Sequence, residues 1–246
     1  MDVAFLPRDL REPERSVCIV VDLVRATTTM TTLYEAGCLT VYAAPTIESA
    51  REAALEHHAV LCGERDGLKV PGFDYGNSPV EFHRLDLHDR QVVLSTTNGT
   101  LAIHAASAAP AVLAGCLRNA SAVVERATEL AGPRGLGVTI VCAGREGRFA
   151  LDDAYCAGHL IALLRKSVEP SSLDLTDSAV AAENLRLSND DALAVVSMSS
   201  SGRGLTHVGL GHDLPFVAEV DRSEVVPELV RGDTIARYPL RLVSPR

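Results

Sequence analysis

The chain has 246 residues, enough for one large domain or two small ones around a sizeable core. Hydrophobic residues make up 47% and charged residues 22%, which excludes a mainly disordered or fibrous chain. Lys and Arg number 23 against 32 Asp and Glu, with no basic stripe and no Trp, so a nucleic-acid binder is excluded and a small-molecule partner is expected.

Residues 1–7 carry no basic segment ahead of an apolar core, and no run approaches the roughly 18 apolar residues that a spanning helix needs. A soluble, cytoplasmic chain that does not engage membranes is expected. Apolar runs then alternate with stretches of helical period. Residues 16–24 read as a strand and 26–36 as a helix closed by Gly37. Residues 39–44 and 47–57 repeat the pair, with Pro45 and Thr46 opening the helix, and 59–62 form a third strand.

Residues 63–88 include GERDGLKVPGFDYGNSP, too polar for a strand and too punctuated for a helix. The alternation resumes at 91–95 with a helix from about Thr100, continues at 111–116 with 120–130, and ends at 137–142 with 151–165. A helical stretch follows at 178–187, and 197–213 reads as a second irregular segment. This order predicts an α/β fold of three layers, α/β/α, around a largely parallel or mixed central sheet. Without a linker or a longer repeat, residues 1–246 read as one domain, with at most a C-terminal lobe from about residue 190. Cys18, Cys38, Cys62, Cys116, Cys142 and Cys156 form no C-x-x-C pair, which reads as a reducing compartment without structural zinc, and all but Cys142 read first as small core residues.

Ligands of open α/β sheets bind beyond the carboxyl ends of the strands, which singles out three turns. At the first, Asp22, Arg25, Thr27, Thr28 and Thr29 gather where a strand ends and a helix starts. Free N–H groups and the positive dipole end suit a phosphate or carboxylate there. The same residues also read as an Asp22 cap followed by a first turn of threonines.

The second turn, Ser95-Thr96-Thr97-Asn98-Gly99-Thr100, offers four hydroxyls, and its glycine lets amides fold into an anion nest. The third, 142–148, precedes Asp152 and Asp153, whose paired carboxylates suit either a divalent cation or the positive end of a helix. Neither G-x-x-x-x-G-K-S/T nor G-x-G-x-x-G is present, and Asp22 lacks the second Asp of a D-x-D aspartyl-phosphate enzyme. Cys142 and Arg148 do have the C-x5-R spacing of thiolate phosphatases. The histidines form no metal-ligand spacing and read mostly as surface residues.

The strings VVDLVRATTT at 20–29, LCGERDG at 61–67, GFDYGNSP at 72–79, STTNGT at 95–100, VCAGREGRFALDDAYCAG at 141–158 and DSA at 177–179 together resemble the 2-phosphosulfolactate phosphatase family. The resemblance implies a Mg²⁺-dependent acid phosphatase of coenzyme M biosynthesis. It would hydrolyse 2-phospho-3-sulfolactate, or a related phosphorylated hydroxy acid, to 3-sulfolactate and phosphate. It also implies Asp22, Arg25 and Asp153 as catalytic residues, and Asp22, Glu64 and Asp153 as metal ligands. Substrate contacts would come from Thr27, Thr28, Arg65, Asp74, Asn77, Ser78, Thr97, Asn98 and Gly99.

Two departures from the family pattern stand out. Asp152-Asp153 replaces Glu-Asp, and Ser199-Ser200-Ser201-Gly202 stands where a basic residue and then His or Asn precede the glycine, with Arg203 as a nearby substitute. Beside Mg²⁺-assisted attack by water or by Asp22 itself, two rival readings are a metal-independent Cys142 thiolate phosphatase and a non-catalytic sensor of a phosphorylated or sulfonated metabolite. In each, the partner is a small anionic molecule, with homo-oligomerisation left open.

Overall fold

The computed structural model describes residues 1–168, 174–230 and 240–244. The sequence alternation folds as β1 (Asp2–Ala4), β2 (Ser16–Val21), α1 (Ala26–Glu35), β3 (Thr40–Ala43), α2 (Ile47–His57), β4 (Val60–Arg65) and β5 (Leu68–Lys69). It continues with α3 (Pro79–Phe82), β6 (Gln91–Ser95), α4 (Gly99–Ala106), β7 (Ala111–Gly115), α5 (Ala120–Ala131), β8 (Gly137–Cys142) and α6 (Leu151–Ser167). Four helices, α7 (Asp177–Leu187), α8 (Ala192–Met198), α9 (Ser200–His207) and α10 (Leu214–Val217), precede β9 (Glu228–Leu229) and β10 (Leu240–Val243).

The strands form one sheet in the order β1-β8-β2-β7-β9-β10-β3-β6-β4-β5. The first four pair in parallel, as do β3, β6 and β4. Antiparallel β9 and β10 join the two blocks, and β5 folds back on β4, so the sheet is mixed and mostly parallel.

Side-chain alternation assigns the faces. From β2, Val17, Ile19 and Val21 pack with Val123 of α5, Leu160 of α6 and Ala182 of α7, while Cys18 and Val20 turn to Met30 and Leu33 of α1 and Ile103 of α4. In the other block Val41, Val92 and Leu94 join that same α1 and α4 cluster, and Tyr42 and Val93 pack on Ala50 and Ala53 of α2. Helices α1 and α4 therefore cover one face of both blocks, and α2 with α5 to α7 covers the other, giving three layers. Met30 and Leu33 are fully buried, and truncating either to Ala is expected to cost about 2–5 kcal/mol. Beyond residue 190, Val195, Val196, Leu205, Leu214 and Val217 share the cluster of Ile19 and Leu160.

Hydrogen bonds tie the carboxyl ends of the strands together, within each block and, through Glu146 and Asn98, between the blocks. Leu23 after β2 and Gly144 after β8 both donate backbone N–H to Asp153, at 2.8 and 2.9 Å. Thr97 after β6 donates to Glu64 in β4 at 2.8 Å, and Glu146 after β8 donates to Asn98 after β6 at 3.1 Å.

Three expectations need correction. Strand β2 ends at Val21, because the next residues turn to start α1. Segment 63–88 is partly regular: β4 runs to Arg65, reverses through Asp66 and Gly67 at positive φ, and returns as β5, while Ser78 and Pro79 open α3. Segment 197–213 contains helix α9 and a 3-10 turn at Gly211–Asp213. Its glycines each weaken a helix by about 1 kcal/mol, which hid it in the sequence. The Ser199 hydroxyl offsets this by accepting from the Gly202 N–H at 2.9 Å, and Gly202 is needed because any Cβ there would lie 2.0 Å from the Val196 carbonyl oxygen.

Among the described residues no helix is long and apolar enough to cross a membrane. All six cysteines are free and buried.

Candidate active site

A cavity of about 190 Å³ opens between the carboxyl ends of β2, β4, β6 and β8 on one side and α9 on the other. The β2-to-α1 turn is locked by its own threonines. The Thr27 hydroxyl accepts from the Asp22 N–H and donates to the Asp22 carbonyl, and the Thr28 hydroxyl donates to the Leu23 carbonyl. This leaves the Asp22 side chain at the strand end, facing the cavity.

Asp22 accepts from the Ala26 N–H at 3.3 Å through Oδ1, and its Oδ2 lies against the start of α4. A Cβ on Gly99 would sit 2.4 Å from the Ala26 Cβ and 2.7 Å from that Oδ2, so only glycine lets α4 approach so closely. Burial pushes the Asp22 pKa up to about 7. The Ala26 hydrogen bond opposes the rise, Glu64 and Asp152 add to it, and Arg25 lowers it.

Three further carboxylates are buried beside it: Glu64, Asp152 and Asp153. Asp153 is raised well above the usual carboxylate range by burial and then by the charges of Asp152 and Asp22, with both oxygens held by backbone N–H groups. Burial also raises Asp152, against a hydrogen bond from the Ser201 hydroxyl at 3.1 Å. Glu64 accepts from the Thr97 and Gly67 N–H groups, each at 2.8 Å.

Arg25 supplies the opposing charge. It donates to Asp213 at 2.7 Å and to the Gly67 carbonyl at 2.9 Å, while Asp213 also accepts from Ser78 at 2.6 Å. Asn77 Oδ1 and Thr97 Oγ1 belong to residues lining the cavity and are buried without a hydrogen-bond partner among the described residues. The starts of α1, α4, α6 and α9 all contribute lining residues, so several positive helix ends face one space. Oxygen donors, buried charge and helix ends together suit a phosphorylated anion with a hard cation.

Residues 5–232 match the family model described as 2-phosphosulpholactate phosphatase. This chain belongs to that family. A protein of Thermus thermophilus is 44% identical over 216 residues, 87% of each chain, and one of Deinococcus radiodurans is 38% identical over 236 residues, 93% of each. A protein of Clostridium acetobutylicum is 32% identical over 239 residues, covering 96% of this chain and 99% of the relative. All three are named probable 2-phosphosulfolactate phosphatase.

Of the residues that the family resemblance singles out, Asp22, Arg25, Glu64, Asn77, Thr97, Asn98 and Asp153 line the cavity, and Gly99 closes against Asp22. Others stand behind it. Thr27 and Thr28 spend their hydroxyls on the turn, and Ser78 caps α3 and holds Asp213. Arg65 ties β4 to β6 through the Glu64 and Ser95 carbonyls and the Ser95 hydroxyl, and exposed Asp74 accepts from the Leu61 N–H at 2.8 Å.

Asp22, Glu64 and Asp153 share the cavity. Among the described residues, however, no three His, Cys, Asp or Glu side chains form a group that could hold a metal ion by itself. The Cys142 thiolate reading does not survive: the side chain is buried in the apolar cluster, is absent from the cavity lining, and its thiol is pushed well above its ordinary value by burial and then by Asp153 and Asp152. Arg203 is not the substitute cation either, since it is exposed and donates to the Met198 carbonyl.

The two departures from the family pattern meet in space, where Ser201 donates to Asp152. Sequence reading missed the role of Asp213, whose signal was its position just past a glycine-rich run. It also missed His207, which lines the mouth of the cavity.

Proposed function

We propose that this chain is a Mg²⁺-dependent phosphomonoester hydrolase acting on 2-phospho-3-sulfolactate or a related phosphorylated hydroxy acid. The observation that carries the reading is the convergence of four buried carboxylates and an anchored guanidinium on one small cavity at the strand ends. In the same reading its product, 3-sulfolactate, belongs to coenzyme M biosynthesis.

The donor set fits a hard cation. Asp22 Oδ2 accepts no hydrogen bond among the described residues, and the mutual repulsion of Asp22, Asp152 and Asp153 favours a divalent ion between them. Asp22 would hold Mg²⁺ with Glu64 or Asp153 as the second ligand, and water with phosphate oxygens would fill the remaining places, as is usual for this ion. When bound, Mg²⁺ supplies charge neutralisation at the phosphoryl oxygens and a more acidic water.

The chain's own residues do the rest. Arg25, fixed by Asp213 and Gly67, grips a phosphoryl oxygen, and the Thr97 hydroxyl and the helix N–H groups orient the ester. Where Glu64 and Asp153 hold the ion instead, Asp22, its pKa raised by burial in the metal-free fold, would take the proton of the attacking water; alternatively Asp22 would attack phosphorus directly, the hydroxy acid leaving, with water then releasing phosphate. Acid quench of a single turnover followed by borohydride reduction separates the two, because only direct attack forms an aspartyl phosphate, which borohydride converts to homoserine at position 22.

The reading is tested by phosphate release from 2-phospho-3-sulfolactate with Mg²⁺ and with EDTA. Metal-dependent release is expected. Ligand-induced stabilisation without release would favour the sensor reading instead.

A further inference from the structure

We infer that Arg145 is the residue that reads a second anionic group on the substrate, and so selects phosphorylated acids over simple phosphomonoesters. The inference rests on the hydrolase reading above.

The charges around the cavity are unevenly matched. Its basic lining side chains, among the described residues, are Arg25, Arg145 and His207. Arg25 is already matched by Asp213 at 2.7 Å, with both side chains buried. Among the described residues Arg145 donates to no carboxylate: the exposed Glu146 lies 3.7 Å away, and buried Asp152 feels the Arg145 charge only through space. In a space with four buried carboxylates, a guanidinium fork whose N–H groups hold no carboxylate is the group suited to a carboxylate or sulfonate of the substrate.

The backbone presents Arg145 rigidly. Arg145 and Arg148 exchange hydrogen bonds of 2.9 Å in both directions around Glu146 and Gly147, both at positive φ, which makes a tight two-residue reversal. The tip is pinned where the Glu146 N–H donates to Asn98. The side chain is directed too: Arg145 donates to the Ser200 carbonyl, and its guanidinium lies across Gly204 of α9. A Cβ at position 204 would fall 2.6 to 3.0 Å from the guanidinium atoms, so the absence of a side chain there makes room for the fork.

The test compares kcat/KM for 2-phospholactate and 2-phospho-3-sulfolactate with that for 4-nitrophenyl phosphate, which lacks the second anion. Wild type is expected to prefer the acids, and Arg145→Ala to lower that preference at least tenfold, with Arg145→Lys falling between. Gly204→Ala provides a second variant that leaves Arg145 in place. It improves helix propensity yet displaces the guanidinium, so the preference should fall without loss of thermal stability. A preference unchanged in folded Arg145→Ala and Gly204→Ala overturns the inference while leaving the hydrolase reading standing. Absence of phosphate release from all three esters by wild type overturns both.

Discussion

Arg25 donates to Asp213 at 2.7 Å across 188 residues of sequence, and both side chains are buried. The pair fixes a cation at the strand ends and ties the turn after α9 to the start of α1. Removing one partner of a buried pair strands the other charge, so Asp213→Ala is expected to lose about 3–5 kcal/mol in denaturant unfolding. Asp213→Asn keeps an acceptor and should fold, but with kcat/KM reduced at least tenfold because the guanidinium loses its ionic anchor. Adding Arg25→Lys to Asp213→Asn should then cost little more than Arg25→Lys alone. Independent, multiplying losses would show that Asp213 does not work through Arg25.

The contact between α4 and Asp22 leaves no room for a methyl group at position 99. Gly99→Ala should push the helix start away from Asp22, costing about 1–3 kcal/mol of stability through overpacking. Turnover should fall more than stability suggests, since the N–H groups of α4 recede from the phosphate position. Steady-state kinetics on the folded variant decide the point, and wild-type kcat would show that the close approach serves packing alone.

The fold was legible where one physical signal dominated. The apolar runs leading to Val21, Leu94 and Cys142 bury both faces of parallel strands, so the β-α alternation could be read directly. Asp22, Asn98 and Asp153, which line the cavity, stood out in the sequence because strand ends carry ligands and their motifs are unusual strings. The helix at α9 was not, since its stability comes from the Ser199 cap and the fit of Gly202 against Val196, both tertiary facts. Thr27 and Thr28 read both ways for a related reason: a hydroxyl at a helix start can serve a ligand or its own backbone, and the fold has these two hydroxyls donating to the Asp22 and Leu23 carbonyls. Asp213 was hidden because its partners, Arg25 and Ser78, lie 188 and 135 positions away.

Cys142 is a buried thiol kept protonated by its surroundings. Cys142→Ala should therefore retain turnover and lose only about 1 kcal/mol of stability, the scale of one small apolar group. EDTA should stop the wild-type reaction, and added Mg²⁺ should restore it. Loss of turnover in a folded Cys142→Ala, together with full activity in EDTA, would return the thiolate mechanism to first place.

The raised pKa of Asp22 links stability to pH in a definite direction. The group titrates near 3.8 when unfolded and at about 7 in the metal-free fold. Between these values the folded chain keeps a proton that the unfolded chain has lost, so Asp22 makes the fold progressively less stable as pH rises through that window, and by a constant amount above it. Asn at this position stays neutral throughout. The melting temperature of Asp22→Asn minus that of wild type should therefore grow from about pH 4 to about pH 7 and then level off, measured in EDTA. Above about pH 7, Mg²⁺ should raise the wild-type melting temperature and close much of the gap, while leaving Asp22→Asn less affected. A difference that is flat with pH would mean that Asp22 ionises in the fold as it does in water, and would remove the case for its acting as a base near neutrality.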